Sequence, residues 1–249
     1  MEAGRPSAIE HIIPEALGCP EGFVLTGGSV CRRCNNGLAH LDQAVIDDFD
    51  MLAYMAGVPR KKGRPPEIRN RGNVIATTKP SGNEMSINME RHSVEAHDGS
   101  TLGAFGKSDR NINASFERQG HLASTSFSVP IGRNPKFVRG IVKIAFSSVA
   151  YFLGVETALG KDFDSVRLFV RDGKGERFVL LKSSSDTAYR NRIWPPYQSE
   201  GGEYAVTFRL AAVEFCVDLS PKLTLFPLLK KQATDRFGKS GWSYLPINV

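Results

Sequence analysis

From Asn35 onward Leu38, Leu41, Val45, Phe49 and Leu52 recur at steps of three and four residues. One stripe of a helix running to about Met55 must therefore find apolar surface to cover it. Only short pieces precede it. Residues 7–13 carry Ile9, Ile12 and Ile13 and read as a strand, which Pro14 ends in a loop holding Gly18, Pro20 and Gly22. Phe23-Val24-Leu25-Thr26 reads as a second extended piece running into the turn signal Gly27-Gly28. The order is strand, loop, strand, helix, and the helix has to pack on that strand pair or on something contributed later in the chain.

Residues 57–73, GVPRKKGRPPEIRNRGN, break both periodicities with prolines, glycines and a run of basic residues. They read as an exposed basic connector. The expected division is a 1–56 module, a 57–73 linker and a 74–249 domain. Beyond the linker, Val74 to Thr78, Ser86 to Met89, His121 to Val129, Val166 to Val170, Arg177 to Leu181 and Tyr204 to Leu210 have strand composition or alternation. A helix from Pro135 to about Leu153 interrupts them, with Phe137, Ile141, Ile144, Ala145, Val149 and Phe152 in one stripe. Lys136, Arg139 and Lys143 share another face of that helix and would offer positive charge to a phosphate backbone or to solvent. The fold class is α+β, a small N-terminal module followed by a larger α+β domain.

The net charge of +6 over 249 residues leans toward a polyanionic partner. The start, MEAGRPSAIE, lacks the apolar core of a secretory signal. The longest apolar stretch, Gly140 to Val155, is broken by Lys143 and Ser147-Ser148, short of a membrane span. The expectation is a cytoplasmic protein with no membrane partner. Cys19, Cys31 and Cys34 cluster while Cys216 stands apart, which suits a metal knuckle better than a secreted disulfide framework.

Glu10 and His11 stand side by side before Ile12-Ile13-Pro14. Hydrolysing a phosphodiester needs a water stripped of its proton, positive charge on the oxygens that gain negative charge, and a rigid frame for both. A histidine beside a hard-metal ligand could supply the first two. Successive side chains of a strand point to opposite faces, however, so Glu10 and His11 face the same way only if the strand twists or ends between them.

Glu10-His11-Ile12-Ile13-Pro14, Leu17-Gly18, Val30-Cys31-Arg32-Arg33-Cys34-Asn35-Asn36 and Leu41-Asp42 together resemble the HNH endonuclease family, over residues 8 to about 50. The resemblance implies a ββα-metal fold in which two strands and a helix hold one divalent ion. Carried over by position, His11 would be the general base, and Glu10 and Asn35 the metal ligands. Mg²⁺ suits their oxygens, with Mn²⁺ or Ni²⁺ as substitutes. The pattern departs in three places. The family's histidine four residues past the helix-start ligand is Ala39 here, with His40 one residue further as the candidate third ligand of the ion. The asparagine that orients the base has Thr26 as its nearest counterpart. The second Cys-x-x-Cys that would complete a structural zinc site is missing, so Cys31 and Cys34 are a remnant half-site, or recruit Cys19 and a ligand such as His40, or await an upstream segment.

The resemblance also implies double-stranded DNA as partner, contacted by Arg32 and Arg33 and by Arg60, Lys61, Lys62 and Arg64 in the connector. Lys61-Lys62-Gly63-Arg64-Pro65-Pro66 resembles an AT-hook core and reads equally as a plain basic linker. Glu15, Asp42, Asp47 and Asp48 read as solvated acids, although the resemblance would let Asp42 brace the site. His92, His97 and His121 have no partner at metal spacing. The function expected is a metal-dependent HNH endonuclease acting on DNA. The alternatives are a non-catalytic nucleic-acid-binding protein that keeps a degenerate knuckle and a nuclease directed at RNA.

Overall fold

The structure is a computed structural model that describes residues 7–59, 64, 67–71, 74–78, 85–89, 95–96, 113–119, 122–128, 131–132, 134–183, 190–237 and 242–245. It is mixed helix and sheet, α+β, as the sequence implies. The chain forms two compact units, Met1–Ile46 with Asn134–Val249, and Asp47–Arg133. This division differs from the expected linker boundary at 57–73. It falls inside the first helix and joins the N-terminal strands to the second half of the chain.

In the first unit, β1 (Ser7–His11) and β2 (Val24–Cys31) form an antiparallel pair. Ser7 pairs with Cys31 and Ala8 with Val30, but Glu10 pairs with Leu25 and His11 with Val24, so Thr26 to Ser29 bulge out of register. A 3-10 turn, Glu15–Leu17, ends at Gly18 with φ 76°, in the left-handed region where glycine carries no Cβ penalty. Asn191 fastens this loop from across the chain: its amide donates to the carbonyls of Leu17 and of Gly18, the latter at 2.9 Å. The helix α1 (Arg32–Met55) follows β2 without a break, and Leu41, Ala44 and Val45 on its stripe are buried.

The helix α2 (Pro135–Leu153) is the centre of this unit. Asn134 caps it, accepting from the Lys136 amide at 2.9 Å, and Pro135 stands in the first turn. Phe137, Ile141, Val142, Ile144, Ala145 and Val149 are buried. α2 packs on an antiparallel sheet ordered β10 (Arg192–Ile193), β12 (Tyr204–Leu210), β13 (Val213–Asp218), β9 (Val179–Ser183) and β14 (Trp242–Leu245), with β11 (Tyr197–Gln198) also on β12. Phe137 meets Phe215 at 6.2 Å between centroids, and Phe215 stacks on Phe208 at 5.3 Å. Phe137, Phe208 and Phe215 are all fully buried.

Two shorter helices, α3 (Val155–Ala158) and α4 (Asp164–Asp172), follow α2, and α5 (Phe226–Phe237) follows β13. α4 corrects the expectation of a strand over Val166 to Val170. Val166, Phe169 and Val170 are its buried residues, and their spacing of three and four is as helical as their composition is strand-like. Asp164 in the first turn and Gly173 closing it at φ 72° settle the matter locally.

In the second unit, β3 (Glu67–Arg71), β4 (Val74–Thr78) and β5 (Met85–Met89) form an antiparallel sheet. A further sheet pairs β6 (Glu95–Ala96) in parallel with β7 (Asn113–Gln119), and β7 with β8 (Leu122–Ser128) antiparallel. β3 lies within the stretch expected to be an unstructured connector. Among the described residues no helix is long and apolar enough to cross a membrane.

Candidate active site

The bulge between Ala8 and Glu10 and the alternation of β1 decide which way each residue turns. Ile9 is 63 % exposed while Glu10 is 3 % exposed, and His11 is half-buried. Glu10 thus faces inward and its neighbours do not share its surroundings.

Inside, Glu10 meets Lys143 of α2. Gly140, one turn earlier on α2, makes this contact reachable. A Cβ there would stand 2.5 Å from Val45 Cγ2 and 2.8 Å from the Leu41 carbonyl oxygen, so only glycine lets α1 and α2 approach this closely. Lys143 Nζ, on a residue 4 % exposed, donates to Asp42 Oδ1 at 2.7 Å and Oδ2 at 2.8 Å and forms an ion pair with Glu10 Oε1. Glu10 Oε1 is enclosed, with the Lys143 ammonium against it. Burial pushes the Glu10 carboxyl above its usual range; Lys143 pulls it down and Asp42 adds to the rise.

The start of α1 is tied to β1 by Asn35, whose Nδ2 donates to the Ile9 carbonyl at 3.1 Å. This hydrogen bond ties position 35 to β1 at Ile9, the residue before Glu10. Asn35 and Glu10 line one cavity of about 420 Å³, and His11 is not among its walls. His11 Nδ1 is enclosed and unbonded. His40 turns back on its own helix, with Nδ1 3.0 Å from the Gly37 carbonyl oxygen. Thr26 lies in the bulge, where its carbonyl accepts from the Ser29 hydroxyl at 2.5 Å.

The divalent ion that the family resemblance implies was expected on Glu10 and Asn35, with His40 as a third ligand. As placed, these three do not fit one ion. An ammonium already meets Glu10, and His40 turns its Nδ1 to the Gly37 carbonyl of its own helix. Among the described residues no three His, Cys, Asp or Glu side chains stand together as a metal group. The Cys31 and Cys34 sulfurs are 3.0 Å apart, a thiol–thiol hydrogen bond and not a disulfide. Two thiolates on a tetrahedral zinc would stand roughly 3.8 Å apart, given Zn–S bonds near 2.3 Å. Hydrogen bonding with Cys31, then partial burial, pushes the Cys34 thiol up.

No family model, no curated protein and no solved structure matches this chain. The site is therefore argued from its own residues.

Of the basic residues expected to meet nucleic acid, Arg32 and Arg33 are exposed in the first turn of α1, and Arg64 is exposed. Arg60, Lys61 and Lys62 lie outside the described residues, as do His92, His97 and His121. The α2 cations are used differently from the expectation. Lys143 is buried, and Arg139 Nη2 donates to the Val170 and Arg171 carbonyls at 2.8 and 2.9 Å, capping the end of α4. Only Lys136 of the three is exposed. Sequence reasoning missed the Lys143 cluster, although a cation set between Val142 and Ile144 in the apolar middle of a helix is itself a signal: buried, it needs an anion.

Proposed function

We propose that this chain hydrolyses phosphodiester bonds of nucleic acid, DNA first, on a β1–β2–α1 scaffold with His11 as general base. The Asn35 to Ile9 hydrogen bond supports this reading, because it ties the helix start to β1 two residues before His11, in the strand–strand–helix order that the HNH resemblance implies. In this reading His11 takes a proton from water, the water oxygen bonds to phosphorus, and the bond from phosphorus to the leaving sugar oxygen breaks. That oxygen is then protonated from solvent. Arg32 and Arg33 at the N-terminal end of α1 supply positive charge for the phosphate. No step is assigned to a metal ion, since Glu10, Asn35 and His40 as placed do not form its cradle.

The test is incubation of the purified chain with supercoiled plasmid and with single-stranded RNA, in Mg²⁺, Mn²⁺ or EDTA, beside His11→Ala. Plasmid nicking that the substitution lowers by about 10²–10⁴-fold supports the reading. Binding without cleavage in every arm would make the chain a nucleic-acid-binding protein on a degenerate scaffold. Cleavage of RNA alone would redirect it to that substrate.

A further inference from the structure

Cys31 is the last residue of β2 and Cys34 stands in the first turn of α1, so the strand–helix junction brings two sulfurs together. Cys31 Sγ accepts from the Cys34 amide at 3.2 Å, one of the first amides of the helix, which have no partner inside it. The two sulfurs meet at 3.0 Å. An S–S bond is about 2.0 Å long, so the pair is about 1 Å from bonding distance. Both backbones are held: Cys31 pairs with Ser7 of β1, and Asn35, next to Cys34, donates to the Ile9 carbonyl at 3.1 Å. Cys34 is exposed and lines the cavity of about 420 Å³, and Cys31 is half-buried, so a small molecule can reach the pair. Cys19 and Cys216 differ. Burial pushes both of their thiols up, which disfavours the thiolate that takes part in exchange.

We propose that Cys31 and Cys34 are a redox-active dithiol that exchanges with small disulfides and closes to a reversible disulfide of its own. The incoming disulfide is the oxidant. One cysteine, as thiolate, attacks a sulfur of that molecule, and the other half leaves as a thiolate. The second cysteine then gives its proton to solvent and attacks the sulfur of the first. The Cys31–Cys34 bond forms and the remaining half leaves as a thiolate, so the pair has lost two electrons and the incoming disulfide has gained them. The second step is intramolecular between sulfurs already in contact, so the mixed disulfide does not persist. Arg32 and Arg33, exposed between the two cysteines, favour an anionic oxidant such as glutathione disulfide. The inference stands whether or not the chain cleaves nucleic acid.

The reduced full-length chain is incubated with glutathione disulfide, quenched in denaturant with a thiol-alkylating reagent, weighed intact and mapped by peptides. The expected result is that alkylated thiols fall from the four of the sequence to two. No glutathione remains attached, the mapped link joins Cys31 to Cys34, and dithiothreitol restores the reduced chain. Cys31→Ser and Cys34→Ser should each retain glutathione or stay reduced, without an internal disulfide. A wild-type chain that keeps all its thiols, accumulates the mixed disulfide or links a different pair overturns the proposal, as does an internal disulfide in either variant. So does a chain purified with zinc on the two cysteines, inert to the oxidant until a chelator removes the metal.

Discussion

Two buried cations in the same unit, Lys143 and Arg177, are held in different ways. Arg177, 2 % exposed, donates to the Ser220 carbonyl and the Ser165 hydroxyl, each at 2.5 Å. Its acceptors are neutral, and the fork ties α4 to the loop after β13. Burial lowers its pKa, with Asp218 opposing. Lys143, 4 % exposed, faces two carboxylates and borders a cavity. The first arrangement rests on neutral acceptors, while the second sets two carboxylates against one ammonium at the junction of β1, α1 and α2. A buried cation is thus held either by neutral oxygens or by carboxylates, and only the second kind ties stability to carboxylate protonation.

The largest expected effect is on the Lys143 side. Lys143→Met leaves the buried Glu10 and the partly exposed Asp42 without their cation, and urea denaturation should show a loss of about 3–5 kcal/mol. A loss below about 1 kcal/mol would mean that the cluster does not hold the helices. Arg177→Met strands a carbonyl and a hydroxyl and should cost less, about 2–3 kcal/mol. A larger loss than at Lys143 would invert the comparison. Gly140→Ala comes next, at about 1–3 kcal/mol, because the new methyl meets the Leu41 backbone, which cannot turn aside.

The smallest effect is a pH dependence. The folded chain holds the Glu10 proton more tightly than the unfolded chain does, since burial raises its pKa. Stability therefore falls as pH rises from the ordinary carboxylate range through the raised value. Stability curves for wild type and Glu10→Gln across that window should differ by this slope, and coincident curves would show that Glu10 is not shifted.

The α+β class, β12 over Tyr204–Leu210 and α2 over Pro135–Leu153 were legible in the sequence, because alternation and three–four spacing are local properties. Val166 to Val170 was misread because a short apolar run satisfies both periods. The ion cluster was not legible at all. Lys143 lies 101 positions from Asp42, and nothing in either neighbourhood states that they meet. Gly140 was a clue of the same kind, since a glycine inside a strong helix implies a close neighbour without saying which. The Glu10–His11 alternation, in contrast, was readable from strand geometry, and Glu10 is buried as His11 is not.

The most direct test of the central claim, that Asn35 holds the helix start on the strand that carries the general base His11, is a double-substitution cycle on plasmid cleavage. His11→Ala, Asn35→Ala and the pair are compared in single-turnover rates. Residues that act as a unit are non-additive, so we expect the pair to be about as slow as the slower single variant. Losses that multiply independently, or a wild-type chain that cleaves nothing, would contradict it.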